Sequence, residues 1–107
     1  MLTESVHSEA LQAAAKATQE YISKYGEGYF SCGFAWVSVS IKGNTKVGKS
    51  FIERGFSKNY GGGYMLWNPS GHHTQDVNAK EEGARAYVST LKKYLPEIQL
   101  YVGSRLD

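Results

Sequence analysis

Segments with the 3.6-residue period of a helix alternate along this chain with segments of two-residue period, and that alternation leaves few folds open to it. Leu11, Ala14, Ala15, Thr18, Tyr21, Ile22 and Tyr25 recur at helical spacing, with Ser8 placed to cap and Gly26 to stop the run. From Phe34 to Ile41 the period changes: Ala35, Val37, Val39 and Ile41 face one way, Phe34, Trp36, Ser38 and Ser40 the other. The first half of that strand is apolar on both faces, as an interior strand would be. Asn44 or Thr45 can cap a short helix carrying Val47, Phe51 and Ile52, closed by Gly55 with Phe56 beyond it. Tyr64 to Trp67 reads as a second strand ending in the turn Asn68-Pro69-Ser70-Gly71. A third helix is expected from Val77 or Asn78 to about Leu95, with Asn78 and Glu81 at capping-box spacing and Asp76 as the alternative cap. Ile98, Leu100 and Val102 then form a short third strand.

The order α-β-α-β-α-β predicts a small α/β (or α+β) fold, a sheet of about three strands with about three helices. A length of 107 residues suits a single domain spanning 1–107. Strand-helix-strand alternation favours right-handed crossovers and a mainly parallel sheet, with an antiparallel variant as the alternative. In the parallel arrangement three polar loops, Lys42 to Lys46, Asn68 to Asp76 and Gly103 to Arg105, fall at the carboxyl ends of the strands, where open α/β sheets bind ligands.

Composition excludes more than it selects. Hydrophobic residues at 41% and charged residues at 21% support a packed core, and a formal net charge of +2 is too small to argue for nucleic acid by itself. Cys32 is the single cysteine, so neither an internal disulfide nor a multi-thiolate zinc site is available. No apolar run approaches the ~20 residues that span a bilayer, and the N-terminus lacks a signal-peptide pattern. A cytoplasmic protein without a membrane partner is the expectation, and no pattern demands a metal or an organic cofactor.

Gly43-Asn44-Thr45-Lys46-Val47-Gly48-Lys49-Ser50 satisfies the phosphate-loop pattern G-x-x-x-x-G-K-[ST] after a strand-like run and before a helix. In such a loop backbone N–H groups cradle phosphates, the lysine reaches the β/γ-phosphates and the hydroxyl meets Mg²⁺. Here only about one helical turn precedes Gly55, and no apolar strand ends in an Asp suited to Mg²⁺. The simpler reading is a Thr45-capped helix in which Gly48 permits close packing while Lys46 and Lys49 are solvated. Adjacent His72 and His73 suggest metal or acid/base chemistry together with Asp76, but lack the usual ligand spacing. Cys32 with His72 and Asp76 has the residue types of a nucleophile, base and orienting group; a buried cysteine is the plainer account.

The middle of the chain is aromatic, with Tyr25, Tyr29, Phe30, Phe34, Trp36, Tyr60, Tyr64 and Trp67, and Lys42, Lys46, Lys49, Arg54 and Lys58 are interleaved. Single-stranded nucleic acid or a nucleobase could stack on such residues, although core-filling is the usual use of large rings, and Trp36 and Trp67 are read as structural.

Cys32-Gly33-Phe34-Ala35-Trp36-Val37, Lys42 to Lys46 with Gly48-Lys49, Trp67 to Gly71, and the closing Gly103-Ser104-Arg105-Leu106-Asp107 together resemble uncharacterised small proteins of tailed bacteriophages over residues 30–107. The resemblance implies a viral protein made in the host cytoplasm, and it brings no activity or catalytic residue with it.

These observations favour a non-enzymatic binding protein whose polar loop edge recognises a phosphate-bearing ligand, a nucleotide or a nucleic acid. Helix N-termini near Asn44 and Asp76 would present N–H groups to an anion. Asn44, Thr45, Lys46, Lys49, Asn68, Ser70, Gln75, Ser104 and Arg105 are the candidate ligand-binding residues. A modulator that docks on a host protein is the first alternative, and an enzyme using the Gly43–Ser50 loop or Cys32 is the second. A surface aromatic patch would favour docking, and a basic concave cleft a phosphate ligand. Open sheet edges also make a homodimer conceivable.

Overall fold

The structure, a computed structural model, describes residues 1–26 and 32–106. Its elements are α1 (Glu4–Tyr25), β1 (Gly33–Val39), α2 (Lys46–Glu53), β2 (Ser57–Lys58), β3 (Tyr64–Trp67), α3 (Val77–Tyr94) and β4 (Leu100–Leu106). The mixed helix-and-strand fold expected from the sequence is present, with one strand more than the periodicity gave. Tyr29, Phe30 and Asp107 lie outside the described residues.

The sheet order is β2-β3-β1-β4, and every neighbouring pair is antiparallel. The mainly parallel arrangement is therefore replaced by its alternative. β3 and β4 both run against β1 and so run parallel to each other, with α3 crossing between them and β1 inserted in the gap.

Helix caps explain where the helices begin and end. α1 starts earlier than Ser8 because Thr3 accepts a hydrogen bond from Val6 N–H at 3.2 Å, and buried Leu2 anchors the turn by donating its N–H to Ser50 Oγ at 2.9 Å. α2 closes as anticipated. Gly55 N–H donates to the Ile52 carbonyl and Phe56 N–H to the Phe51 carbonyl, while the Phe51 and Phe56 rings meet edge-on at 5.1 Å. Gly55 adopts φ +99°, which a side chain would resist. Asp76 caps α3 by accepting from Asn78 N–H at 2.9 Å.

The core lies on one side of the sheet. Val37 and Val39 pack in one cluster with Tyr87, Val88 and Leu91 of α3, with Phe51, Phe56, Leu95 and Leu100 closing the ends, and Ala35 is buried on the same face of β1. α1 packs on α3 through small residues: Ala10, Ala14 and Thr18 are fully buried against a helix that offers Ala79 and Gly83, and Thr18 donates to the Ala79 carbonyl at 2.8 Å. Inside this layer Tyr87, fully buried, shares a 2.7 Å hydrogen bond with His7 Nδ1. Burial pushes the Tyr87 hydroxyl above its ordinary value and keeps it protonated, and which of the two groups donates follows the imidazole tautomer. Burial and then the Arg54 charge hold the His7 imidazole below its ordinary value.

Candidate functional site

Antiparallel pairing divides the nine sequence-derived site residues between opposite ends of the molecule. β1 ends at Val39, opposite Tyr64 and Leu100, and begins at Gly33, opposite Leu106. The Lys42 to Lys46 loop thus leaves one end of the sheet, while Asn68 to Asp76 and the last residues of β4 lie at the other, roughly 20 Å away at ~3.3 Å per strand residue. No single loop edge gathers them.

At the first end, the phosphate-loop pattern folds as a capping turn. Thr45 Oγ1 donates to the Lys42 carbonyl at 2.7 Å and accepts from Gly48 N–H at 3.0 Å, and Lys49 N–H donates to the Thr45 carbonyl at 2.9 Å. Those N–H groups are engaged within the turn. A Cβ on Gly48 would run into the Lys42 carbonyl, so glycine is required here for close packing. Asn44, Lys46 and Lys49 are exposed.

At the second end, polar side chains satisfy one another. Asn68, at φ +43°, donates from Nδ2 to the His72 carbonyl at 3.0 Å and accepts from Ser70 Oγ at 3.1 Å. His72 Nδ1 accepts from Thr74 N–H at 3.0 Å, which places the ring proton on Nε2, 3.2 Å from Gln19 Oε1. The His73 ring stacks on His72 at 4.7 Å. Among the described residues no group of three or more His, Cys, Asp or Glu could hold a metal ion. Cys32 pairs across an isolated bridge with Asp76, whose side chain is committed to the α3 cap. Ser104 donates to Glu81 at 2.8 Å, and Gln75 has its carbonyl on Gly33 N–H. Arg105 alone of the nine residues reaches the open face of the sheet, against the Phe34 ring.

The face of the sheet away from the helices carries a side-chain cluster of its own. Alternation puts Phe34, Trp36 and Ser38 of β1 on the side away from the helices, and the register adds Met65 and Trp67 from β3 and Tyr101, Gly103 and Arg105 from β4. Trp67 is 46% exposed and Phe34 37%, while Trp36 is half-buried. These rings form one cluster. Trp36 and Trp67 centroids are 5.0 Å apart, and Phe34 stands edge-on to Trp67 at 5.9 Å. Two cations flank Phe34, with Lys80 Nζ at 5.3 Å and Arg105 Cζ at 5.6 Å from its centroid. Lys80 is buried and donates to the Gly33 carbonyl at 2.8 Å, so it is fixed in place.

A cleft of about 300 Å³ opens beside the cluster, with Trp36, Met65 and Trp67 as its floor and Lys58, Asn59, Tyr60 and Arg105 around it. Among the described residues its lining holds two cations and no carboxylate. A larger hollow of about 510 Å³ lies by the last turns of α1, but Glu20 and Glu82 line it beside Lys24, an arrangement that repels an anion. The sheet cleft is therefore the better candidate.

The signal for this face was present in the parity of Phe34 and Trp36, opposite that of Ala35, Val37 and Val39. Apolar residues on both faces suggest a strand buried on both, whereas among the described residues β1 is central in the sheet but covered on one side only. Lys58 belongs to the interleaved cations of the sequence, and its two-residue strand is too short to show a period.

No protein-family model matches the chain, and comparison with curated proteins and with solved structures finds no similar protein. No helix among the described residues is long and apolar enough to cross a membrane.

Proposed function

We propose that this protein is a non-enzymatic binder of single-stranded nucleic acid, which it takes on the uncovered face of the sheet rather than at a loop edge. The observation that carries this reading is the cluster of Phe34, Trp36 and Trp67 rings beside a cleft whose charged lining, among the described residues, is Lys58 and Arg105. Bases stack on rings whatever their sequence, and the phosphates between them need cations at the margin. Strand residues are a rigid mount, so the rings are held ready before binding.

Labelled oligonucleotides titrated by fluorescence anisotropy test it. Affinity is expected in the non-specific range, on the order of 10⁻⁴–10⁻⁶ M at physiological salt. With Lys58 and Arg105 as the phosphate contacts, the slope of log K against log salt should be roughly −1.4 at ~0.7 per phosphate. Trp67→Ala should cost about 1–3 kcal/mol, the worth of one stacked base. Binding that ignores Trp67→Ala, or none at low salt, would overturn the reading.

Docking on a host protein is the second reading, favoured by the exposure of Trp67 and Phe34. It predicts a partner insensitive to Lys58→Ala, in contrast to the oligonucleotide case.

A further inference from the structure

The two edges of the sheet are protected very differently. β2 ends it on one side with two residues, too short to recruit another strand. β4 ends it on the other with seven residues that contain no proline and no lysine. Among the described residues nothing pairs with its outer side.

The hydrogen-bond parity of β4 follows from its neighbours. Ser40 N–H donates to the Gln99 carbonyl, whereas Gly33 N–H and the Ala35 carbonyl bond on the β3 side. Even-numbered β1 residues therefore bond to β4, and their partners Tyr101, Gly103 and Arg105 point their backbone groups inward. Leu100, Val102, Ser104 and Leu106 point theirs outward, to the free edge.

We propose that a second copy of this chain docks on that edge, β4 against β4, about a two-fold axis at Gly103. Only a register centred there overlaps the full strand, and it is self-complementary. Val102 then exchanges backbone bonds with Ser104 of the second copy, and Leu100 with Leu106, joining the outward-pointing groups to one another. On the open face Tyr101 stands opposite Arg105 of the second copy in a non-hydrogen-bonded pair, the closer kind. The same contact covers Tyr101 and Leu106, which are 56% and 68% exposed in the single chain. Charge agrees with the register. Glu81 lies beside Ser104, and Arg85, which pairs with Glu81 and Glu82 of its own chain, lines the groove beside Val102, so the axis turns Glu81 of one copy toward Arg85 of the other and joins the two ion-pair networks. The assembly would be one continuous eight-stranded sheet, in which Tyr101 of the second copy adds a ring next to Arg105. The pairing itself does not depend on the nucleic-acid reading.

Native mass spectrometry and light scattering across a concentration series, without oligonucleotide, test the proposal. The expected species has twice the 11.8 kDa chain mass. Ser104→Pro removes an outward N–H at an edge position that tolerates proline, and should weaken the dimer at least tenfold while circular dichroism shows a folded chain. Should that variant misfold, Tyr101→Lys serves instead: it opposes Arg105 across the axis and should weaken the dimer, and adding Arg105→Glu should restore it. Hydrogen exchange should find the Val102 and Ser104 amides protected in the dimer. A monomer at every concentration, or a dimer that keeps its affinity in these variants with freely exchanging Val102 and Ser104 amides, overturns it.

Discussion

Gly83 lies in the middle of α3, where an exposed Gly→Ala change would stabilise the helix by about 1 kcal/mol. Here the sign should reverse. A Cβ at this position would stand 2.5 Å from Thr18 Oγ1, 2.9 Å from the Ser70 Cβ and 3.2 Å from the Ala14 carbonyl oxygen. Three neighbours on two elements would have to yield, and overpacking of a tight core costs about 1–3 kcal/mol. Thr18 would also have to swing away from the Ala79 carbonyl, forfeiting a buried hydrogen bond worth about 1 kcal/mol net. The propensity gain covers at most one of these losses, so Gly83→Ala should destabilise by roughly 1–3 kcal/mol, a fall in Tm of roughly 4–24 °C at about 4–8 °C per kcal/mol for a domain near this size. Urea denaturation followed by circular dichroism measures it. Thr18→Ala in the same chain removes the closest obstacle, so the double variant should lose less than the sum of the two single changes. A Gly83→Ala protein more stable than the parent would show that α1 and α3 are not as closely apposed as described.

His7 supplies a pH dependence. Its folded value lies below the unfolded one, near 6.5, so the unfolded chain binds the extra proton and stability falls as pH drops through that value, with a plateau above it. His7→Gln should flatten this part of a stability–pH profile, and a parent protein equally stable on both sides of it would contradict the assignment. In the capping turn, Gly48→Ala should destabilise by about 1–3 kcal/mol because its obstacle is the Lys42 backbone, whereas Lys49→Ala should stay within about ±0.5 kcal/mol. Lys49→Ala should likewise leave oligonucleotide affinity nearly unchanged by anisotropy; a large loss would return the binding site to the Gly43–Ser50 loop.

Local chemistry was legible in the sequence wherever a short-range rule decided the outcome. Thr45 and Gly55 with Phe56 mark helix ends through bonds within a few residues of themselves and act as their positions suggest, while at α3 the cap is Asp76, the alternative to the Asn78–Glu81 capping box. Strand direction depends instead on which elements meet across the molecule. The run from β1 through α2 could as well have led to a parallel crossover, and it is the pairing of Trp36 with Trp67 and Val39 with Tyr64 that sets the antiparallel turn. β4 was read short because Gly103-Ser104-Arg105 looks like a closing loop, while the long partner strand β1 holds it extended to Leu106. The same nonlocal dependence hid the open face. Whether Phe34 and Trp36 fill a core or face solvent depends on whether a helix covers them, and alternation within one strand carries no information about that.

Free energy decides between the open face and the loop ends as the place for a ligand. Asn68, Ser70 and Ser104 already have internal partners, so contact with a ligand exchanges one hydrogen bond for another, with a net gain near zero until the loop is rearranged. The exposed ring of Trp67 has no such commitment. At 46% of a large aromatic surface, it leaves on the order of 100 Å² to be covered, worth about 2.5 kcal/mol at ~25 cal/mol per Å². That figure falls within the range of one stacked base, and Phe34 adds a second, smaller increment beside it. The cations flanking Phe34 already satisfy part of its π-face, so the free protein tolerates the exposure, while Lys58 and Arg105 keep charge at the margin for phosphate. A polar loop can orient a ligand; under the proposed reading the binding energy would come from the side of the sheet away from the helices.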